Sequence, residues 1–160
     1  MRVLRMAAAA VAVLAAVSGA EAKDWSKVRI GTEGAYPPFN SLTADGQLVG
    51  FDIDIAKALC EEMKVECEFV TQDWDGMIPA LQAGKFDAVI ASMSITEERK
   101  EKVDFTNKYY NTPPAIAVPK DSALTGTSDE DLKGVALGAQ SSTTHSNYAE
   151  EKLPSADLKL

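Results

Sequence analysis

Residues 86–99 read FDAVIASMSITEER, an apolar run that gives way at Ser92, Ser94 and Thr96 to hydroxyls and then to Arg99. So continuous an apolar stretch predicts a strand buried on both faces, as in a parallel sheet. The hydroxyls predict a short helix behind it, capped by Thr96 or by Ser94 with Glu97 three residues on. A cap explains the hydroxyls and the glutamates but leaves Arg99 unexplained. Arg99 is either a solvated surface charge or one side of a clamp on an anion, because a guanidinium grips a carboxylate with two parallel hydrogen bonds.

Upstream, VRIGT (28–32) and CEFV (67–70) read as strands, and GFDIDIAKALCEEM (50–63) carries apolar residues at helical spacing with Asp52 available as its N-cap. Between them lie a proline-broken turn, EGAYPPFN (33–40), and a hairpin-like turn, ADGQL (44–48). WDGMIPALQAG (74–84) predicts a second helix, delayed or bent by Pro79 and ended by Gly84. Downstream, VDFTNKYY (103–110) and PAIAVPK (114–120) are extended segments leading away from the first sheet, and 121–131 is a polar surface connection. A second strand–helix–strand unit follows in GVALGAQ (134–140), SSTTHSNYAEEKL (141–153) and DLKL (157–160). Alternating strands and helices predict an α/β fold. Ending at Leu160 would leave a strand edge unpaired and a face uncovered, so the sequence reads as a piece of a longer protein.

The first residues are set apart. Arg2 and Arg5 precede an apolar run too short for a comfortable membrane span, and Ala20–Glu21–Ala22 offers small residues for cleavage. This is the layout of a signal peptide over residues 1–22, the alternative being an uncleaved anchor; no cysteine stands nearby for a lipid. The chain has 16 basic and 24 acidic residues, a net charge of −8, and removing Arg2, Arg5 and Glu21 makes the remainder more acidic still. Such a balance disfavours nucleic acid and anionic lipid as partners but attracts a small cation.

Cys60 and Cys67 flank EEMKVE, and an exported chain meets an oxidising compartment in which two cysteines tend to pair. On one continuous helix their Cα atoms would stand about 10 Å apart, too far for a bond. If they pair, the helix ends near Met63 or Lys64. A redox or metal role has less support, since there is no CxxC and one histidine in all.

Three apolar-to-polar junctions recur, at IGTEGAY (30–36), IASMSITEER (90–99) and LGAQSSTTHS (137–146). Each follows a strand, and ligands of open α/β sheets bind at the carboxyl ends of strands. Two lead into helix N-termini, whose free N–H groups favour a carboxylate. Tyr36 and Trp74 sit in loops beside strand ends, where a ring can sandwich an aliphatic or cationic group, Trp74 serving equally well as core filler. Glu33 is either an exposed loop acid or a partner for a ligand cation.

IGTEGAYPPFN (30–40), GFDIDIAKALCEEM (50–63), WDGMIPALQAGKFDAVIASMSITEERKEKVDFT (74–106) and GAQSSTTHSNY (138–148) together resemble the periplasmic amino-acid-binding proteins, solute-binding family 3 of bacterial ABC importers. The likeness runs from Val28 to Leu160 and is strongest toward binders of lysine, arginine, ornithine, histidine and opines. It implies a two-lobed, type II periplasmic-binding fold, with residues 23–117 in the first lobe and 118–160 beginning the second. It implies that Arg99 grips the α-carboxylate of an L-amino acid, helped by the backbone at Ser94 and Thr144. Ser92 would accept from the α-ammonium, Tyr36 and Trp74 would stack on the side chain, and Glu33 would meet its distal charge. Cys60 and Cys67 match a disulfide of the basic-amino-acid branch. A monomer without cofactor or metal, handing its ligand to a membrane ABC permease in the periplasm, completes the expectation.

Two features depart from that pattern. Ser142 stands where many relatives carry glycine, and the acidic residue that holds the α-ammonium from the second lobe belongs to a segment absent from this sequence. Rival readings are a cyclohexadienyl-dehydratase-like enzyme on the same scaffold and a sensor ectodomain. The enzyme needs a positioned acid or base, and His145 reads as an exposed helix residue instead.

Overall fold

A computed structural model describes residues 25–160, so the signal-peptide reading lies outside the described residues. Strand β1 (Lys27–Thr32) centres the first sheet. Strand β5 (Glu66–Thr71) runs parallel to it along its whole length, from Lys27 opposite Glu66 to Thr32 opposite Thr71. The other side holds β6 (Ala88–Val89), also parallel, with Ile30 opposite Ala88. Val28 and Ile30, two apart and so on one face, join Ala56 and Cys60 in one core; Met77, Ala80, Phe86 and Ala91 form another. Gly31 permits the second, since a Cβ there would stand 2.7 Å from the Phe86 ring.

Helix α1 (Phe51–Met63) buries Ile53, Ala56 and Cys60, the spacing of one helical face. It stops at Lys64, whose backbone is left-handed and whose N–H reaches the carbonyls of Cys60 and Glu61. The chain thereby reverses between the cysteines, which form a disulfide with Cα atoms 6.1 Å apart. The N-cap expectation at Asp52 is overturned. Gly50 holds that position at φ 122, a conformation closed to most side chains, with the Phe39 carbonyl packed against where a Cβ would be. Asp52 lies inside the first turn, fully buried.

Before the helix, β2 (Ala35–Tyr36), β3 (Asn40–Leu42) and β4 (Leu48–Val49) make a small antiparallel sheet. Its β3–β4 turn is the predicted one, closed by the Gly46 N–H on the Thr43 carbonyl at 2.9 Å. Helix α2 (Met77–Gln82) starts behind a one-turn 3-10 helix at Trp74–Gly76, and Pro79 sits inside its first turn, where no intrahelical N–H is needed. Gly84 follows at φ 70. The long apolar strand read from residues 86–92 is reduced to the two residues of β6, only partly buried, because β1 is its one ladder partner among the described residues. Arg29 anchors this edge by donating to both carboxylate oxygens of Asp87 at 2.9–3.1 Å and to the Lys85 carbonyl. That contact with Asp87 raises the affinity of the Arg29 guanidinium for its proton.

Helix α3 (Glu97–Lys100) is a single turn capped by Thr96, whose hydroxyl accepts from the Arg99 N–H at 3.2 Å. The second unit pairs β7 (Ala136–Gly138) with β8 (Asp157–Lys159) in parallel around helix α4 (Thr144–Lys152). Leu132, Ala149 and Leu153 are its buried centre, with Ile116, Leu124, Val135, Leu137, Ala156 and Leu158 against them. The two units face each other over a cleft at the carboxyl ends of β1, β6 and β7.

Candidate functional site

All three junctions reach this cleft. Its walls include Glu33 and Tyr36 after β1, Ser92, Ser94 and Arg99 after β6, and Gln140 and Thr144 after β7. Trp74 joins them from the 3-10 turn, so all seven residues singled out in the sequence share one cavity. The reason is topological. Parallel strands point their carboxyl ends the same way, and residues distant in sequence arrive at one edge.

Arg99 is half-buried and spans the cleft. Nη1 donates to the Ser94 carbonyl at 2.9 Å, and Nη2 donates to the Ser142 carbonyl of the opposite unit at 3.1 Å. Its guanidinium carbon stands 5.4 Å from the centre of the Trp74 ring, within cation–π range. Desolvation lowers the Arg99 proton affinity, yet a guanidinium stays charged throughout the physiological range. A desolvated fixed cation with carbonyl partners is poised to exchange them for a carboxylate, a stronger acceptor.

Trp74 is at once part of the packing and part of the cleft wall. One part packs against the Met77–Phe86 core, and Nε1 donates to the Ser142 carbonyl at 3.0 Å. Tyr36 is 42% exposed and stacks on Phe39 with ring centroids 5.2 Å apart, leaving ring surface to the cleft. Glu33 is half-buried, and Oε1 accepts from Gln140 Nε2 at 2.6 Å across the cleft. Ser141 adds a rim contact by donating to Asp75 at 3.2 Å.

Thr144 opens α4, while the capping belongs to its neighbour: the Thr143 hydroxyl accepts from the Ser146 N–H, and Ser146 Oγ accepts from the Thr143 N–H. Ser92 and Ser142, one in each unit, share a left-handed backbone at φ 55 and 57. Glycine suits such positions best, so a serine at each carries a backbone cost. His145 is exposed and lines the cleft, and its ring has no hydrogen-bond partner among the described residues.

The sequence reading missed Gln140, Thr143 and the surroundings of Asp52. Asp52 accepts from Asn40 Nδ2 and Ser92 Oγ, both at 2.8 Å, and from the Tyr109 hydroxyl at 2.7 Å. Burial, then the facing Asp52 carboxylate, pushes the Tyr109 phenol well above its ordinary range. Polar residues at helical spacing carried no signal of these partners, since Asn40, Ser92 and Tyr109 are far apart in the chain.

Two α/β units opposed over a polar cleft, with a cation on one wall and an anion on another, define a two-lobed binding-protein architecture. The chain belongs to the bacterial extracellular solute-binding proteins, family 3, which it matches over residues 28–151. It is 54% identical over 133 residues to the L-arginine-binding protein of Pseudomonas aeruginosa, covering 83% of this chain and 51% of that protein. It is 39% identical to the histidine-binding periplasmic protein of Salmonella typhimurium, covering 94% of this chain and 58% of that one. Among solved structures, an ancestral arginine-binding protein bound to arginine superposes with a TM-score of 0.78 at 44% identity, over 84% of this chain and 60% of that chain. The chain thus spans about half the length of the curated relatives it matches.

Proposed function

We propose that the protein captures a basic L-amino acid, arginine foremost, and passes it to an ABC permease. Arg99 takes the α-carboxylate with the backbone at Ser94 and Thr144, and Ser92 accepts from the α-ammonium. Tyr36 and Trp74 flank the side chain, and Glu33 receives its distal charge. The observation that carries this reading is the placing of a half-buried cation, Arg99, and a half-buried anion, Glu33, on one small cleft. An amino acid with a cationic side chain presents the complementary ends. The names of the relatives support the ligand class, and none of those named above is an enzyme. Export by a cleaved leader over residues 1–22, a periplasmic location, a monomeric state, and lobes at 23–117 and 118–160 belong to the same proposal.

A thermal-shift screen of the full chain against the twenty amino acids tests it. Ligand at a hundredfold excess over its dissociation constant stabilises a protein by about 2.7 kcal/mol, a readily measured shift. Shifts with arginine, ornithine, lysine or histidine are expected. A shift with none of them overturns the proposal.

A further inference from the structure

We infer that Asp52 is a positioning residue for the α-ammonium of the ligand, acting through the Ser92 hydroxyl without touching the ligand itself. The inference rests on the amino-acid-clamp reading and deepens it.

The direction of each hydrogen bond can be worked out from one group that can only donate. The Gly34 backbone N–H gives its proton to Asn40 Oδ1 at 2.8 Å. The Asn40 amide is thereby oriented, and its NH2 end must face Asp52, where Oδ2 accepts it at 2.8 Å. Tyr109 oxygen accepts the Ser92 N–H at 3.1 Å, and its own proton goes to Asp52 Oδ1. Ser92 Oγ then donates to Asp52 Oδ2 at 2.8 Å. Three donors thus converge on the two oxygens of a side chain that is fully buried.

The consequence falls on Ser92. A hydroxyl has one proton, and here it is committed inward, so the lone pairs are what Ser92 offers to the cleft it lines. The bond to Asp52 holds the hydroxyl in this pose. A hydroxyl polarised by a carboxylate behind it is a better acceptor than one that shares its proton with water, because successive hydrogen bonds strengthen one another. An ammonium, which can only donate, is favoured there.

The test pairs two variants with two ligands. In Asp52→Asn the amide oxygen keeps the bonds from Asn40 and Ser92, and its NH2 faces the Tyr109 oxygen, so the packing survives while the charge is removed. Calorimetry on the full chain would compare L-arginine with 5-guanidinopentanoate, which is arginine without its α-ammonium. Asp52→Asn is expected to weaken arginine tenfold or more and the deaminated acid less than threefold. In a Ser92→Ala background the same change should cost arginine less than threefold. Equal losses for both ligands, or an undiminished effect without the Ser92 hydroxyl, overturn the inference and leave the clamp intact. Failure of the unsubstituted chain to bind arginine overturns both.

Discussion

Arg99 of the first unit and Ser142 of the second are joined by a hydrogen bond of 3.1 Å from guanidinium to backbone carbonyl. The Trp74 indole donates to that same carbonyl. One acceptor therefore collects a donor from the proposed carboxylate clamp and another from a ring proposed to flank the ligand side chain, and these groups join the two units.

Arg99→Ala is expected to lower arginine affinity by about 2–5 kcal/mol, the cost of removing one partner of a desolvated charged pair. Arg99→Lys should restore little of it, since an ammonium lacks the two-pronged geometry. Calorimetry decides the matter, and unchanged affinity in the alanine variant removes the clamp.

Glu33→Gln should weaken cationic ligands and spare neutral ones. Glutamine retains the size and an acceptor for Gln140 but no charge, so the ratio of arginine to glutamine binding should fall at least tenfold. Parallel losses for both amino acids would show that Glu33 does not read side-chain charge.

Ser142→Gly is expected to stabilise the protein by up to about 1 kcal/mol, since a left-handed backbone costs a residue with a Cβ about 1–2 kcal/mol and glycine almost nothing, less the extra entropy glycine loses on folding. The contacts of Ser142 with Arg99 and Trp74 use its carbonyl and survive. Urea unfolding with no gain in midpoint would contradict this.

Reducing the Cys60–Cys67 disulfide should cost about 2–3 kcal/mol on the chain-entropy account, because the closed loop is short. Thermal unfolding with and without reductant, beside a Cys60→Ala/Cys67→Ala double variant, measures it.

Tyr109 sets a pH limit. Its phenol is held protonated in the native state by burial and by Asp52, while in the unfolded chain it ionises near its ordinary value of 10. Above that pH the unfolded state releases a proton that the native state keeps, so the contribution is complete below pH 10 and is lost as pH rises beyond it. Comparing urea midpoints of the protein and of Tyr109→Phe between pH 9 and 11 should show a gentler decline in the variant. Parallel curves would dissociate Tyr109 from the alkaline loss.

The seven cleft residues came together through the family resemblance. The sequence by itself read the stretch holding β2 as a turn, but it pointed to strands β1, β5, β7 and β8 and helices α1, α2 and α4. It also pointed to an end of α1 ahead of Cys67 if the cysteines pair, and to a cap at Thr96 or Ser94. Such features are written locally, in apolar periodicity, turn chemistry and the residues that follow a strand. Tertiary structure alone decided the rest. The cap expected at Asp52 became a buried hub, because the carbonyl of Phe39 admits only glycine at residue 50 and the acid found donors from three distant segments. Likewise β6 shrank to two residues, since a strand exists only where a neighbour supplies its hydrogen bonds. A residue's type records what it can bond; only the folded chain settles which partner comes within reach.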